Sequence, residues 1–416
     1  MLCSSCSTGY FFDSPSRTCR DCEATHVTPA MVVVSVVIVV VGCALIFMYD
    51  KVKAWSEKWL NMGKVRIVYT TCQILATVPS TVDVPFPEPA RSLFSILDLS
   101  GLNPLDLFAG ECVNEGLGSY DTRVIVSTLG VGGLCAVNWL VFGARRLMPA
   151  TSEQRLQAFS SHNSIFLGLT YVFYPTLSLA QLKGYVCVEY DGGDEGMMRL
   201  LKADLSIDCD SDRYQSFFGL NVFLTIVTQL IPLMYFVILY RVRHLLHPPS
   251  QRSPQAQLRD RQRREQEHEL RPVSFLFTHY NLGWWYFEVI ESYRRVVFVS
   301  ILPLIPDKTV AGFVGILMAS LSVSFYRDAR PYHVTSSNAL ATVANQQLSF
   351  TYVTATFLRV TEYGNDVSGG IVLLSVNIAI IPFSIVTSMV DHKRRVKEEE
   401  IKRKNYEKLK HAEAED

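Results

Sequence analysis

Residues Met31–Met48 read MVVVSVVIVVVGCALIFM, an apolar run without a single charge. A helix needs roughly 17–25 such residues to cross a bilayer, and the run is long enough to do so. Eight more runs are spaced along the chain. Candidate spans lie at about 30–49, 65–84, 123–143, 163–183, 217–240, 285–305, 309–326, 338–359 and 368–390. In lipid every backbone N–H and C=O must be satisfied within the segment, which makes each span a helix. Hydrophobic residues make up 49% of the 416-residue chain and charged ones 19%, a balance too apolar for an ordinary soluble protein. The expected fold class is an all-α polytopic membrane protein of about nine transmembrane helices, with the lipid bilayer as its first partner. No cationic start precedes the first run, which reads as a signal-anchor or as the first surviving span of a truncated chain.

The net charge of zero hides a sorting by loop. With the N-terminus outside, the inner segments hold Lys51, Lys53, Lys58, Lys64 and Arg66, then Arg145, Arg146 and Arg155, then the arginines between 241 and 271. Arg327, Arg330, Lys393, Arg394 and Arg395 complete the inner set. Glu88, Asp98, Asp106, Glu111 and Glu115 fall in one outer loop, and Glu189, Asp191, Asp194, Glu195, Asp204, Asp208, Asp210 and Asp212 in another. Every loop agrees with one orientation under the positive-inside rule, N-terminus outside and C-terminus cytoplasmic. Residues 1–29 then form a small outer module, 30–390 the membrane domain and 391–416 a charged cytoplasmic helical tail. In Lys51–Met62, Val52, Trp55 and Trp59 recur at helical spacing among lysines, as in a short helix lying in the inner interface.

Cys3, Cys6, Cys19 and Cys22 make a C-x2-C-x12-C-x2-C array. Four thiolates so spaced fit a tetrahedral zinc site or two disulfides. An outer, oxidising location favours disulfides. Cys187 and Cys209 flank the second acidic loop and form a third candidate bridge, worth about 3 kcal/mol by loop closure. Cys43, Cys72 and Cys135 lie within spans and read as buried small apolar residues.

No phosphate-binding glycine loop, dinucleotide fingerprint, zinc-protease helix or serine-nucleophile elbow occurs, and no histidine sits at ligand spacing from a carboxylate or cysteine. Neither an enzyme nor a cofactor is expected, and the charge balance gives no nucleic-acid footprint.

One span departs from the rest. WWYFEVIESYRRVVFVSILPLI, Trp284–Ile305, carries Glu288, Glu291, Arg294 and Arg295 in its first half. Each ionisable group near a span centre costs about 2.5–3.5 kcal/mol on insertion scales, so such groups pair or face a protein interior. On a helix Glu291 reaches Arg294 and Arg295 at i+3 and i+4, and Glu288 lies one turn below it. A paired, inward-facing cluster that fixes packing is the favoured reading over one lining a permeation path. Asn345, Gln346 and Gln347 in the eighth span, with Asn221 and Gln229 in the fifth, are intramembrane polar groups suited to bonds between helices. Prolines 175, 232, 303 and 382 are expected to kink their spans.

The Cys3–Cys22 module, TTCQILATVPSTVDVPFPEP at 70–89, LKADLSIDCDSDRY at 201–214, WWYFEVIESYRRVVF and SFYRDARPYHVTSSNALATVANQQLSF at 324–350 carry a resemblance when taken in order. Together they resemble the multi-pass membrane proteins of protists and algae with a transient-receptor-potential-like C-terminal domain, often preceded by an ephrin-receptor-like cysteine module. The resemblance implies a channel or transport protein, with cations as the expected permeant and a homo-oligomer as one form. A cell-surface receptor or adhesion protein using the cysteine module, or a fragment of a larger ectodomain protein, is the alternative.

Overall fold

A computed structural model of the chain describes residues 10–13, 18–21, 62–84, 86, 90–100, 119–147, 149, 151–191, 196–246, 260–264 and 266–361, with scattered positions between 371 and 393. The first span, residues 51–61 of the expected interfacial helix, the cysteines at 3, 6 and 22, and the charged tail lie outside the described residues. Of the cysteine module, strands β1 (Tyr10–Asp13) and β2 (Thr18–Asp21) pair antiparallel, Phe12 opposite Cys19.

From Met62 onward helices dominate the described residues. They are α1 (Met62–Val82), α2 (Ala90–Ser100), α3 (Tyr120–Arg146), α4 (Ser152–Lys183), α5 (Asp212–Arg241), α6 (Phe287–Val296), α7 (Lys308–Ala329) and α8 (Thr335–Val360). Their ends obey local chemistry. Thr151 caps α4 in a reciprocal capping box with Gln154, and the Ser211 hydroxyl accepts from Tyr214 N–H at the start of α5. Asp307 accepts from the N–H groups of Thr309 and Val310 and so opens α7 directly after the turn from α6. At the other end of α7, Arg330 adopts a left-handed φ of 43° that stops the helix ahead of Pro331.

Four helices, α3, α4, α5 and α7, are long and apolar enough to cross a membrane. The helix α5 shows what that means for its surface: Phe223, Ile226, Val227, Leu230 and Leu233 are all exposed. Side chains buried inside α8, by contrast, include Asn345, Gln347, Thr351 and Thr356, and those inside α1 include Lys64, Thr70 and Gln73. Polar side chains of α1 and α8 thus turn inward, while α5 presents apolar side chains outward.

The all-helical expectation misses one element. Between α4 and α5 the acidic loop is a three-stranded antiparallel sheet, β3 (Cys187–Asp191), β4 (Met197–Leu201) and β5 (Asp204–Asp208), in the order β3-β4-β5. The carboxylates occupy a sheet whose other face buries Leu201 and Ile207 against Tyr120, Tyr214 and Phe217. The Cys187–Cys209 disulfide staples it, as the sequence predicted. Residues such as Val188, Tyr190, Leu205 and Ile207 alternate with acids, the period of a half-buried strand.

Packing between α7 and α8 is the closest in the bundle. A Cβ built on Gly315 would lie 2.6 Å from the Tyr352 ring, and one on Gly312 would run into Thr356 Oγ1. Bare backbone at these two positions lets the helices approach.

Candidate functional site

The charged span is not one regular helix. Its α-helical part ends at Val296, Val297–Ile301 widens into a π-helix, and Leu302–Leu304 tightens into a 3-10 turn. Pro303 accounts for the close, since it lacks the N–H that would continue the ladder. Ser300 falls in the widened turn and donates its hydroxyl to the carbonyl of Pro175, inside α4. A proline inside one continuous helix is thus bonded to the irregular turn of its neighbour.

Within α6, Glu288 and Arg295 have no exposure at all and Glu291 has 5%. Glu291 and Arg294 form a two-pronged ion pair, Nη2 to Oε1 at 2.6 Å and Nε to Oε2 at 2.9 Å. Tyr326 of α7 donates its hydroxyl to the same carboxylate, and Arg294 Nη1 reaches Asn345 Oδ1 of α8 at 3.0 Å. One ion pair therefore joins three helices.

Glu288 turns the other way. Its Oε2 accepts from Arg66 Nη1 of α1 at 3.2 Å and from the Tyr280 hydroxyl at 2.9 Å. The Arg66 guanidinium lies 3.7 Å over the Phe275 ring, a cation–π contact that replaces part of its hydration.

Arg295 does not pair with Glu291, contrary to the i+4 expectation. It points to the opposite side of α6, where Nη2 donates to Gln73 Oε1 at 2.6 Å and to the carbonyl of Tyr171 at 2.8 Å. Its guanidinium also stacks 4.1 Å from the Tyr171 ring centroid. Consecutive arginines are separated by about 100° around a helix, which sends Arg294 toward α7 and α8 and Arg295 toward α1 and α4.

The remaining polar residues divide. Asn345 belongs to the network. Gln347 is buried at 5%, whereas Gln346 is exposed and takes no part. Asn221 donates to the carbonyl of Gln181, and Gln229 bonds Ser178 and Tyr174, so both tie α5 to α4 away from the charges. Sequence reasoning missed Arg66, Gln73, Tyr171, Tyr280 and Tyr326. Arg66 carried a signal, being a charge just inside the 65–84 run.

Beside the network, the segments entering α6 and α8 are tied together. Asn281 N–H donates to the Pro331 carbonyl, Asn281 Nδ2 to those of Arg330 and Tyr332, and His333 N–H to that of His279. Burial, with the Arg261 guanidinium nearby, holds His333 down to about 4, and burial plus Arg66 keeps His279 well below the ordinary imidazole value. Both rings are neutral at physiological pH.

Comparison with family models, with curated proteins and with solved structures gave no match. The arrangement itself can lock five helices, α1, α4, α6, α7 and α8, through buried charge. Among the described residues, no group of three or more histidine, cysteine or acidic side chains is placed to hold a metal ion.

Proposed function

We propose that the chain is a multi-pass membrane protein of the transient-receptor-potential-like channel or transport class, with nine spans, N-terminus outside and C-terminus cytoplasmic. The observation that carries the reading is the buried network of Arg66, Glu288, Glu291, Arg294 and Arg295, in a bundle whose outward faces are apolar. Ionisable groups of this density inside apolar helices mark functional cores of membrane proteins.

The helix ends support the alternating path. Arg359, near the end of α8, donates to the carbonyls of Val82 and Asp83 at the end of α1 and to Thr309 at the start of α7. Those three ends are the outer ones in the proposed topology. Glu153 at the start of α4 pairs with Arg271, and Tyr280 bridges Tyr332, all on the proposed inner side. In this reading the Glu291–Arg294 and Glu288–Arg66 pairs fix helix packing, and the ion path lies elsewhere in the bundle or between copies of it.

The test is flux. Purified protein in lipid vesicles is expected to carry ions above the background of empty vesicles, with sodium, potassium and chloride gradients applied in turn. Absence of flux for every ion, from protein shown to be folded, would remove the channel and transport class.

A further inference from the structure

Arg295 stands apart from the other charges of the network. Its side chain is wholly buried, yet its Nε and Nη1 groups meet no acceptor. The two nearby carboxylates are engaged elsewhere, Glu291 with Arg294 and Glu288 with Arg66. Among the described residues, Arg66, Arg294 and Arg295 share two buried carboxylates, Glu288 and Glu291, and Arg295 is the guanidinium that pairs with neither. A lysine in this position would shed its proton and its charge. An arginine cannot, because its guanidinium stays protonated in any protein environment. An uncompensated buried ion is strongly destabilising, so the surplus calls for an anion. Gln73 Oε1 and the Tyr171 carbonyl satisfy only Nη2 and bring no charge.

We propose that Arg295 is the binding site of one small monovalent anion of the chloride type, held by Nε and Nη1 between α1, α4 and α6. One negative charge balances the network, which selects a monovalent ion over phosphate. Full burial beside the Tyr69 and Tyr171 rings selects a small one over a lipid headgroup. The anion is a resident counter-ion of the packing network and goes beyond the transport reading, on which its binding does not rest. Glu288 Oε1 is also without a partner. A direct Glu288–Arg295 pair in solution is the competing arrangement, and it would need no anion.

The experiment titrates the purified full chain in detergent with sodium chloride, ionic strength being held with sodium gluconate. Chloride NMR line width and thermal unfolding are tracked together. Wild type is expected to broaden the chloride line saturably and to unfold at a higher temperature in chloride than in gluconate. Arg295→Gln is expected to weaken chloride binding roughly tenfold or more, and Arg295→Lys to lose it likewise at neutral pH, because a lysine buried there gives up its charge. Wild-type protein with no saturable chloride signal overturns the site whatever the variants do. Unchanged binding in a folded Arg295→Gln overturns it as well. Vesicle flux separates the two claims: chloride binding without flux of any ion refutes transport and leaves the site standing. Cation flux without chloride binding does the reverse.

Discussion

At the scale of single residues, the cost of this bundle is concentrated in buried charge, and so are the sharpest expectations. Removing one member of the Glu291–Arg294 pair leaves a buried ion alone, which costs about 3–5 kcal/mol. Glu291→Ala is expected to lose stability of that order and to free the Tyr326 hydroxyl and Arg294 together. The double change Glu291→Leu with Arg294→Met removes both charges and is expected to recover most of the loss, read by thermal unfolding in detergent. A double variant no more stable than Glu291→Ala would deny the pair its structural role. His333 gives a second test, through pH. Its folded value of about 4 lies below the ordinary 6.5, so the unfolded form binds the extra proton between them. Stability is then full above 6.5 and falls as pH drops toward 4, by about 3 kcal/mol for this ring. His333→Gln should flatten that part of the profile, and an unchanged acid limb would assign it to other groups. The four charges of α6 were legible in the sequence because charge in an apolar run is conspicuous. Their partners were not: Gln73, Tyr171 and Tyr326 are ordinary residues until the fold brings them near. Helical spacing gave the i+3 pair correctly, while Arg295 obeyed the tertiary acceptors on α1 and α4 instead of its own helix.

Whole elements were legible to different degrees. Helices α1, α3, α4, α5, α7 and α8 fall where apolar runs predict them, because a lipid-length run has one way to satisfy its backbone. Two features escaped. The sheet between α4 and α5 was hidden by its acids, which read as a solvated loop although the alternation of Val188, Tyr190 and Ile207 was there to see. The π-helix at Val297–Ile301 has no compositional signature, since VFVSI would suit any span. Within it Ser300 meets the Pro175 carbonyl across the interface. The α7–α8 contact yields an element-scale prediction. Gly315→Ala inserts a methyl where the Tyr352 ring already lies, and overpacking of this kind costs about 1–3 kcal/mol. Gly219 on α5, where an added Cβ meets nothing, is the control, and Gly219→Ala should leave the melting temperature unchanged or slightly raised. Equal effects at the two glycines would mean that α7 and α8 are not in close contact.

For the whole molecule, polar side chains turned inward on α1, α6 and α8 and apolar ones turned outward on α5 are the reverse of a soluble bundle. This placement fits a bilayer as solvent, and under the positive-inside rule the sorted loop charges support the proposed direction of crossing. In the proposed topology Ser206, in β5, lies outside and Ser152, at the start of α4, lies inside, with α6 entering from the inner face. Single-site labelling tests that placement most directly. Ser206→Cys and Ser152→Cys, each exposed, are expressed in intact cells and treated with a membrane-impermeant maleimide, with wild type as background. Ser206→Cys is expected to label in intact cells, and Ser152→Cys only after permeabilisation. Labelling of both variants, or of Ser152→Cys alone, in intact cells would contradict the topology.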